Sequence, residues 1–419
     1  MEAYIVEWLN LLGRWVHMIT GIAWIGASFY FVWLDNHLHA PKDPKDAEKG
    51  IGGELWALHG GGFYHAQKFK VAPAALPETL HWFKWEAYTT WMSGMFMLAI
   101  IYWYGAEIYL IDPAVADISK SFAILMSIAT LAVGWLVYDY LCKSKLGKDD
   151  KKLSAVIFIF LIIMAFFLTQ LFSGRGAFIH FGAMLGTIMV ANVYFIIMPG
   201  QQALVDATKA GIAPDPQPAM NAKQRSVHNT YFTLPVLFVM ISNHYAMTYG
   251  SSWNWLVLIL ISLAGALIRV YFVQRHFGPA KKTPLYVAGA ILLLCIIAMS
   301  PRPAPAQKAA AGSAATTPAA QTVAPATATG EFSPTFLAVK SVIEARCNSC
   351  HAAQPTQPGF AAAPKGVVFD TPRDIVTQAA MIHQQTVLSK VMPIGNLTKM
   401  TEEERTLIAQ WYQSGAQQK

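Results

Sequence analysis

LSAVIFIFLIIMAFFLTQLFS, residues 153–173, contains no charged side chain and no proline or glycine. A helix of about 20 such residues crosses the ~30 Å hydrocarbon core of a bilayer. This run therefore reads as a transmembrane helix, and the same test applied outward along the chain finds seven more, at 12–34, 85–104, 120–141, 177–198, 228–249, 253–273 and 284–300. The composition agrees: 54% of the 419 residues are hydrophobic and 13% charged, too apolar a balance for a soluble two-domain chain. The expected fold is all-α, an eight-helix membrane bundle. The segment after Met1 is acidic and lacks a small-residue cleavage site, so no cleavable signal peptide is expected.

Orientation follows from the lysines and arginines. One set of loops carries Lys42, Lys45, Lys49, Lys68, Lys70 and Lys84, then Lys143, Lys145, Lys148, Lys151 and Lys152, then Lys209, Lys223 and Arg225, then Arg275, Lys281 and Lys282. The alternate loops hold Arg175 and Lys120, with Glu107, Asp112 and Asp117 nearby. By the positive-inside rule the lysine-rich loops are cytoplasmic and both termini face out. The net charge of +7 is thus a topology signal, with nucleic acid excluded as a partner and membrane lipid implied.

Beyond the last span stands EARCNSCHAAQ, residues 344–354. Cys347, Cys350 and His351 form Cys-x-x-Cys-His, in which two thiols add to haem vinyl groups and the adjacent imidazole reaches the iron. The alternative, a redox dithiol or half a zinc site, would want a second ligand pair, and Cys142 and Cys295 lie in or beside apolar segments. Downstream candidates for the second axial ligand are Met381, His383, Met392 and Met400. Met392 is favoured, because VMPIGN places it in a polar loop after a helix-like run. Thr401 and Glu404 form a capping box that opens a closing helix with Leu407, Ile408 and Trp411 on its apolar face.

Residues 334–419 thereby resemble a class I cytochrome c domain, which implies one covalent haem c. Attachment of this haem occurs outside a bacterial inner membrane, in agreement with the charge-based topology. Between this domain and the membrane part at 1–300, residues 301–333 are rich in Ala, Pro and Thr and cannot bury a core. They read as a tether of about 30 Å mean span.

Ionisable groups inside the spans are costly and mark function. An outer layer holds Arg14 and His17 in the first span, Arg175 and His180 at the fifth, and His244 near the outward end of the sixth. His228, sixteen residues before His244, lies roughly 24 Å inward by helical rise. It joins Glu86, Asp139 and Arg269 in an inner layer. HMITGIAWIGASFYFVW from His17 and HFGAMLGTIMVANVYFII from His180 form a weak repeat, with small residues that admit a backbone or a flat cofactor. The stretch from Arg14 to Tyr30 is similar to the first helix of the four-helix, haem-binding type of protoporphyrinogen oxidase, where a histidine at this place ligates haem. His17, His180 and His244 are therefore candidate ligands of a haem b, with Arg14 and Arg175 near its propionates. The alternative is that they are hydrogen-bonded interior histidines.

On the inner side, GGELWALHGGGFYHAQKFK, residues 52–70, has two readings. Its glycines bring amides close to an anion, with Glu54, His59, His65, Lys68 and Lys70 supplying acid-base groups, or they form a hairpin in a lysine-rich loop.

Taken together, WALHGGGFY (56–64), RSVHNTYFTLPVLFVMISNHY (225–245), the Arg14–Tyr30 helix and the haem motif resemble the bacterial membrane-bound urate oxidases, which have eight helices and a fused cytochrome c. The resemblance implies oxidation of urate by two electrons to 5-hydroxyisourate, with water supplying the oxygen. The electrons then pass through cytochrome c to a respiratory acceptor, a soluble cytochrome c or terminal oxidase. Urate is a planar monoanion, so it needs a cation (Arg269 or Arg225), an aromatic platform (Trp85 or Phe63) and a base (His228, His59 or Glu86). Two rival readings stand beside this one: a quinol-oxidising conduit, and a transporter or anchor carrying a cytochrome.

Overall fold

The computed structural model describes residues 2–112, 115–275, 281–300, 332–358, 360, 363–364, 367–388 and 390–418. These form two compact units, Met1–Cys295 and Ile296–Lys419. Most of the expected tether, 301–331, lies outside the described residues.

The first unit is built on α1 (Glu2–Asn36), α2 (Trp85–Met97), α3 (Lys120–Lys143), α4 (Asp150–Leu171), α5 (Gly174–Asn192), α6 (Met198–Lys209), α7 (Pro216–Ser242), α8 (Asn254–Gln274) and α9 (Thr283–Ala298). Side chains fix where several begin. Ser119 accepts from the Phe122 amide, Asp149 from Lys151 and Lys152, Ser173 from Gly176, and Asp215 from Gln217. A π-helical stretch, Val193–Ile197, joins α5 to α6 as one long span.

Helices thus occupy all eight segments read as spans. Among the described residues five are long and apolar enough to cross a membrane: Tyr4–Asn36, Lys120–Lys143, Asp150–Leu171, Gly174–Lys209 and Asn254–Gln274. The other three fall short for visible reasons. α2 gives way to a π-helix at Leu98–Trp103, the first half of α7 is polar (Lys223, Gln224, Arg225, His228 and Asn229), and α9 has only 16 residues.

Helix α5 lies at the centre, packed against α3, α4 and α7, with Phe178, His180, Phe181, Met184 and Leu185 wholly buried. Small residues set the approach. A Cβ on Gly134 of α3 would stand 2.3 Å from Met184 Cγ, and one on Gly182 of α5 would stand 2.7 Å from Val239 Cγ1 of α7. In lipid, where apolar burial gives little drive, such close packing and interhelical hydrogen bonds hold helices together. α1 packs chiefly against α2 and leaves Trp8, Leu11, Trp15, Met18, Ile19 and Ile22 exposed, as a lipid-facing surface does.

The mostly helical unit carries one β-hairpin. Residues 52–70 are not helical: β1 (Ile51–His59) and β2 (Gly62–Phe69) pair antiparallel, His59 opposite Gly62. The two-residue turn places Gly60 at φ +58° and Gly61 at φ +82°. Two successive positive φ values are the demand of a tight hairpin turn, and glycine meets it without steric cost. These glycines serve the turn, as the hairpin reading expects.

In the second unit α10 (Pro334–Arg346) packs on α11 (Glu402–Gln413). The shared core includes Phe336, Val339, Ile343, Ile408 and Trp411. Thr401 and Glu404 form the expected reciprocal capping box.

Candidate functional site

The Cys-x-x-Cys-His segment follows α10 directly. His351 Nδ1 is 2.9 Å from the Val367 carbonyl, and a carbonyl can only accept, so Nδ1 carries the proton and Nε2 keeps its lone pair. That is the tautomer an iron ligand requires, and holding the other ring nitrogen is how proteins orient such ligands. Cys347 and Cys350 are not joined by a disulfide. Burial pushes the Cys347 thiol up to about 12, whereas a redox dithiol depends on a lowered value. The donor set fits covalent haem better than thiol exchange.

Among the candidate second ligands, Met400 is 3% exposed and belongs to the core, while Met381 is exposed and His383 is stacked on Tyr412 at 4.3 Å. Met392 sits half-buried on a loop, its carbonyl 2.9 Å from the Arg405 guanidinium that also donates to the Thr386 carbonyl. Arg405 thus anchors the Met392 backbone and leaves its side chain outside the core.

The outer histidines differ from one another. His17 Nδ1 donates to the Thr90 carbonyl at 3.0 Å and lies 3.1 Å from Ser93 Oγ, which leaves Nε2 with a lone pair, the same arrangement as His351. His180 is wholly buried, and both of its ring nitrogens are engaged. Nδ1 donates to the Gly176 carbonyl at 2.8 Å, so Nε2 accepts from Ser127 Oγ at 2.6 Å, and Ser127 in turn accepts from Trp103 Nε1. Ligation by His180 would have to displace Ser127. His244 lies exposed on the turn after α7. Arg175 donates to the Tyr102 hydroxyl at 3.3 Å and stands 4.8 Å over Tyr109, and Arg14, bound to Asn10, is close enough to Arg175 to repel it. Of the repeat's glycines, Gly26 and Gly186 face open space, whereas Gly182 is filled by Val239. His17 fits a haem b as this structure stands and His180 does not.

The inner layer holds a connected polar cluster between α3, α5 and α7. Arg225, donor only, gives one bond to Asp139 at 2.8 Å and one to Asn192 Oδ1 at 3.3 Å, and Asp139 also pairs with Lys143 at 2.7 Å. Asn192 Nδ2 therefore faces outward from Arg225 and donates to Tyr138 at 3.1 Å and Asn229 at 2.9 Å. Asn229 donates to the Met189 carbonyl, and Tyr138 lies 2.7 Å from His228 Nδ1. Arg225, Tyr138 and Asn192 are all buried, with the guanidinium 5.0 Å over the Tyr138 ring. Tyr138, Asn192 and Asn229 were not singled out from the sequence; a search restricted to ionisable groups passes over neutral amides in an apolar span, although their presence there is itself a signal.

Arg269 and Glu86 are different. Arg269 Nε and Nη2 and Glu86 Oε2 are buried without any hydrogen-bond partner, the only ionisable side chains of which this holds among the described residues. His59 and Phe63 lie exposed at the hairpin end, Phe63 at 80%, and Trp85 is exposed as well. Glu54, by contrast, is fixed within the hairpin by the Lys42 amide at 3.0 Å and by His65 at 2.9 Å. An open pocket of about 500 Å³ between residues 76–84 and α6, lined by Trp82, Lys84, Gln202 and Lys209, contains none of the candidate residues.

A family model described as "Urate oxidase N-terminal" matches residues 3–300. No curated protein and no solved structure matches the chain.

Proposed function

The chain belongs to the urate oxidase N-terminal family, and from that premise we propose that it is an inner-membrane enzyme that oxidises urate and hands the electrons to its own tethered cytochrome. Urate and water give 5-hydroxyisourate, two protons and two electrons. The family match along the membrane unit carries the substrate, and the second unit supplies the electron exit. Eight crossings with both termini outward put Cys347, Cys350 and His351 on the outer side, where covalent haem is attached.

Haem held there supplies a one-electron acceptor, so each urate requires two successive transfers. The residues of this chain do the rest. Cys347 and Cys350 hold the group, His351 presents Nε2, and Met392 is the second ligand. In the membrane unit, Glu86, whose Oε2 is buried without a hydrogen-bond partner among the described residues, is the base we assign to the remaining N–H proton of urate, whose loss makes the ring easier to oxidise and open to water at C5. His228, with Nδ1 engaged by Tyr138, offers Nε2 for proton transfer. A non-covalent haem b on His17 is a further part of this reading.

The deciding experiment is an anaerobic spectrum of the purified protein. Urate should reduce the c-type haem and ubiquinol should not; reduction by ubiquinol alone would favour the quinol conduit, and reduction by neither would favour a carrier or anchor. Acid-acetone extraction, which removes haem b and leaves haem c, counts the membrane haem.

A further inference from the structure

The inference rests on the urate reading and concerns where the anion is held. Arg269, on α8, is 8% exposed. Its guanidinium carbon stands 4.0 Å over the Phe29 ring of α1, and Tyr231 of α7 is within electrostatic range. Its two unpartnered atoms are Nε and Nη2. These are not arbitrary: in arginine they lie on the same side of the planar group, and their N–H bonds run parallel as one two-pronged edge. The ring packs against the guanidinium and offers that edge no hydrogen-bond acceptor.

A buried cation without an acceptor is strongly disfavoured. Every other arginine named as a candidate is committed: Arg225 to Asp139 and Asn192, Arg175 to Tyr102, Arg14 to Asn10. The unpartnered edge matches two adjacent acceptor atoms in one plane. The N–C=O edge of a deprotonated oxopurine presents such a pair, and so do two oxygens of a phosphate.

We infer that the Nε/Nη2 edge of Arg269, beside the Phe29 ring, is the clamp for the urate monoanion, with two adjacent ring and carbonyl acceptors of urate facing the two N–H groups. The cation also favours loss of the next ring proton. Selectivity follows: planar anions with adjacent acceptors should compete, and neutral planar rings should not.

A phospholipid headgroup shares this chemistry, so the test separates the two sources. Full-length protein is kept reduced with dithionite, so that bound urate is not consumed, and labelled urate is titrated by equilibrium dialysis. Arg269→Gln should raise the Kd for urate about 10- to 100-fold, the range expected for losing charge-assisted hydrogen bonds. Arg269→Lys, with a point charge but no edge, should fall between. Covalent haem content and the unfolding midpoint report whether each variant is folded. Unchanged urate affinity in Arg269→Gln overturns the inference, and if the phosphate that co-purifies with the protein falls at the same time, a lipid headgroup holds the edge instead. Should Arg269→Gln not accumulate, unchanged affinity in Arg269→Lys overturns it equally. A wild-type protein that neither binds urate nor is reduced by it removes the premise, which is a different failure from a wild type that binds urate without needing Arg269.

Discussion

Tyr138 Oη lies 2.7 Å from Nδ1 of His228, and the two are buried together in one polar network. Asn192 donates to the same phenol oxygen, Cys142 Sγ stands 4.0 Å from Nδ1, and the tautomer of His228 sets which of Tyr138 and His228 donates. Tyr138→Phe removes the oxygen that partners both His228 Nδ1 and Asn192 Nδ2 in the interior. It should destabilise the membrane unit by about 1–3 kcal/mol, read from thermal or denaturant unfolding in detergent. A variant as stable as the wild type would show that the pair does not form.

The Asp139 carboxylate has an inner and an outer partner, and the two should differ sharply. The Arg225 side chain is 4% exposed and that of Lys143 is 64%. Asp139→Asn strands a buried guanidinium and should cost about 3–5 kcal/mol. Lys143→Met removes a solvent-screened partner and should cost about 0–1 kcal/mol. Equal effects in the same unfolding assay would mean that Arg225 is wetter than its burial indicates.

In the second unit, Met392 and Met400 should separate ligation from packing. Met400→Ala opens a cavity in the core and should cost about 2–5 kcal/mol while keeping the red-region band of a methionine-ligated haem. Met392→Ala should abolish the band at smaller cost to stability. The reverse result would move the ligand assignment to Met400.

The hairpin should loosen in acid. The Lys42 amide, opposed by partial burial and assisted by His65, holds the Glu54 carboxyl below the usual carboxylate range. A value lower in the folded than in the unfolded state stabilises the fold fully above the unfolded value of about 4.3 and loses that contribution as pH falls through the folded value. Hydrogen exchange in β1 and β2, corrected for intrinsic rates, should therefore accelerate in that acid window. Glu54→Gln should make the protection independent of pH; if the acid response persists in this variant, Glu54 is not its source.

Sequence alone determined what depends on neighbours along the chain. Uncharged runs such as 153–173 become helices because about 20 apolar residues must satisfy their own backbone in lipid. Thr401 and Glu404 cap α11 because a cap reaches only three residues, and Cys347, Cys350 and His351 lie within one turn of each other. Even the hairpin was legible in principle, since two glycines between strand-like runs are a local signal.

What the tertiary structure decided is which of several chemically alike residues is free. In the sequence Arg225 and Arg269 are both candidate cations for the same anion, and His17 and His180 occupy similar repeats. Ser127 reaches His180 across 53 positions and Tyr138 reaches His228 across 90, while Arg225 finds Asp139 and Arg269 packs on the ring of Phe29 with Nε and Nη2 unpartnered among the described residues. A side chain's availability depends on partners brought together by helix packing, and neither hydropathy nor spacing along the chain encodes those partners locally.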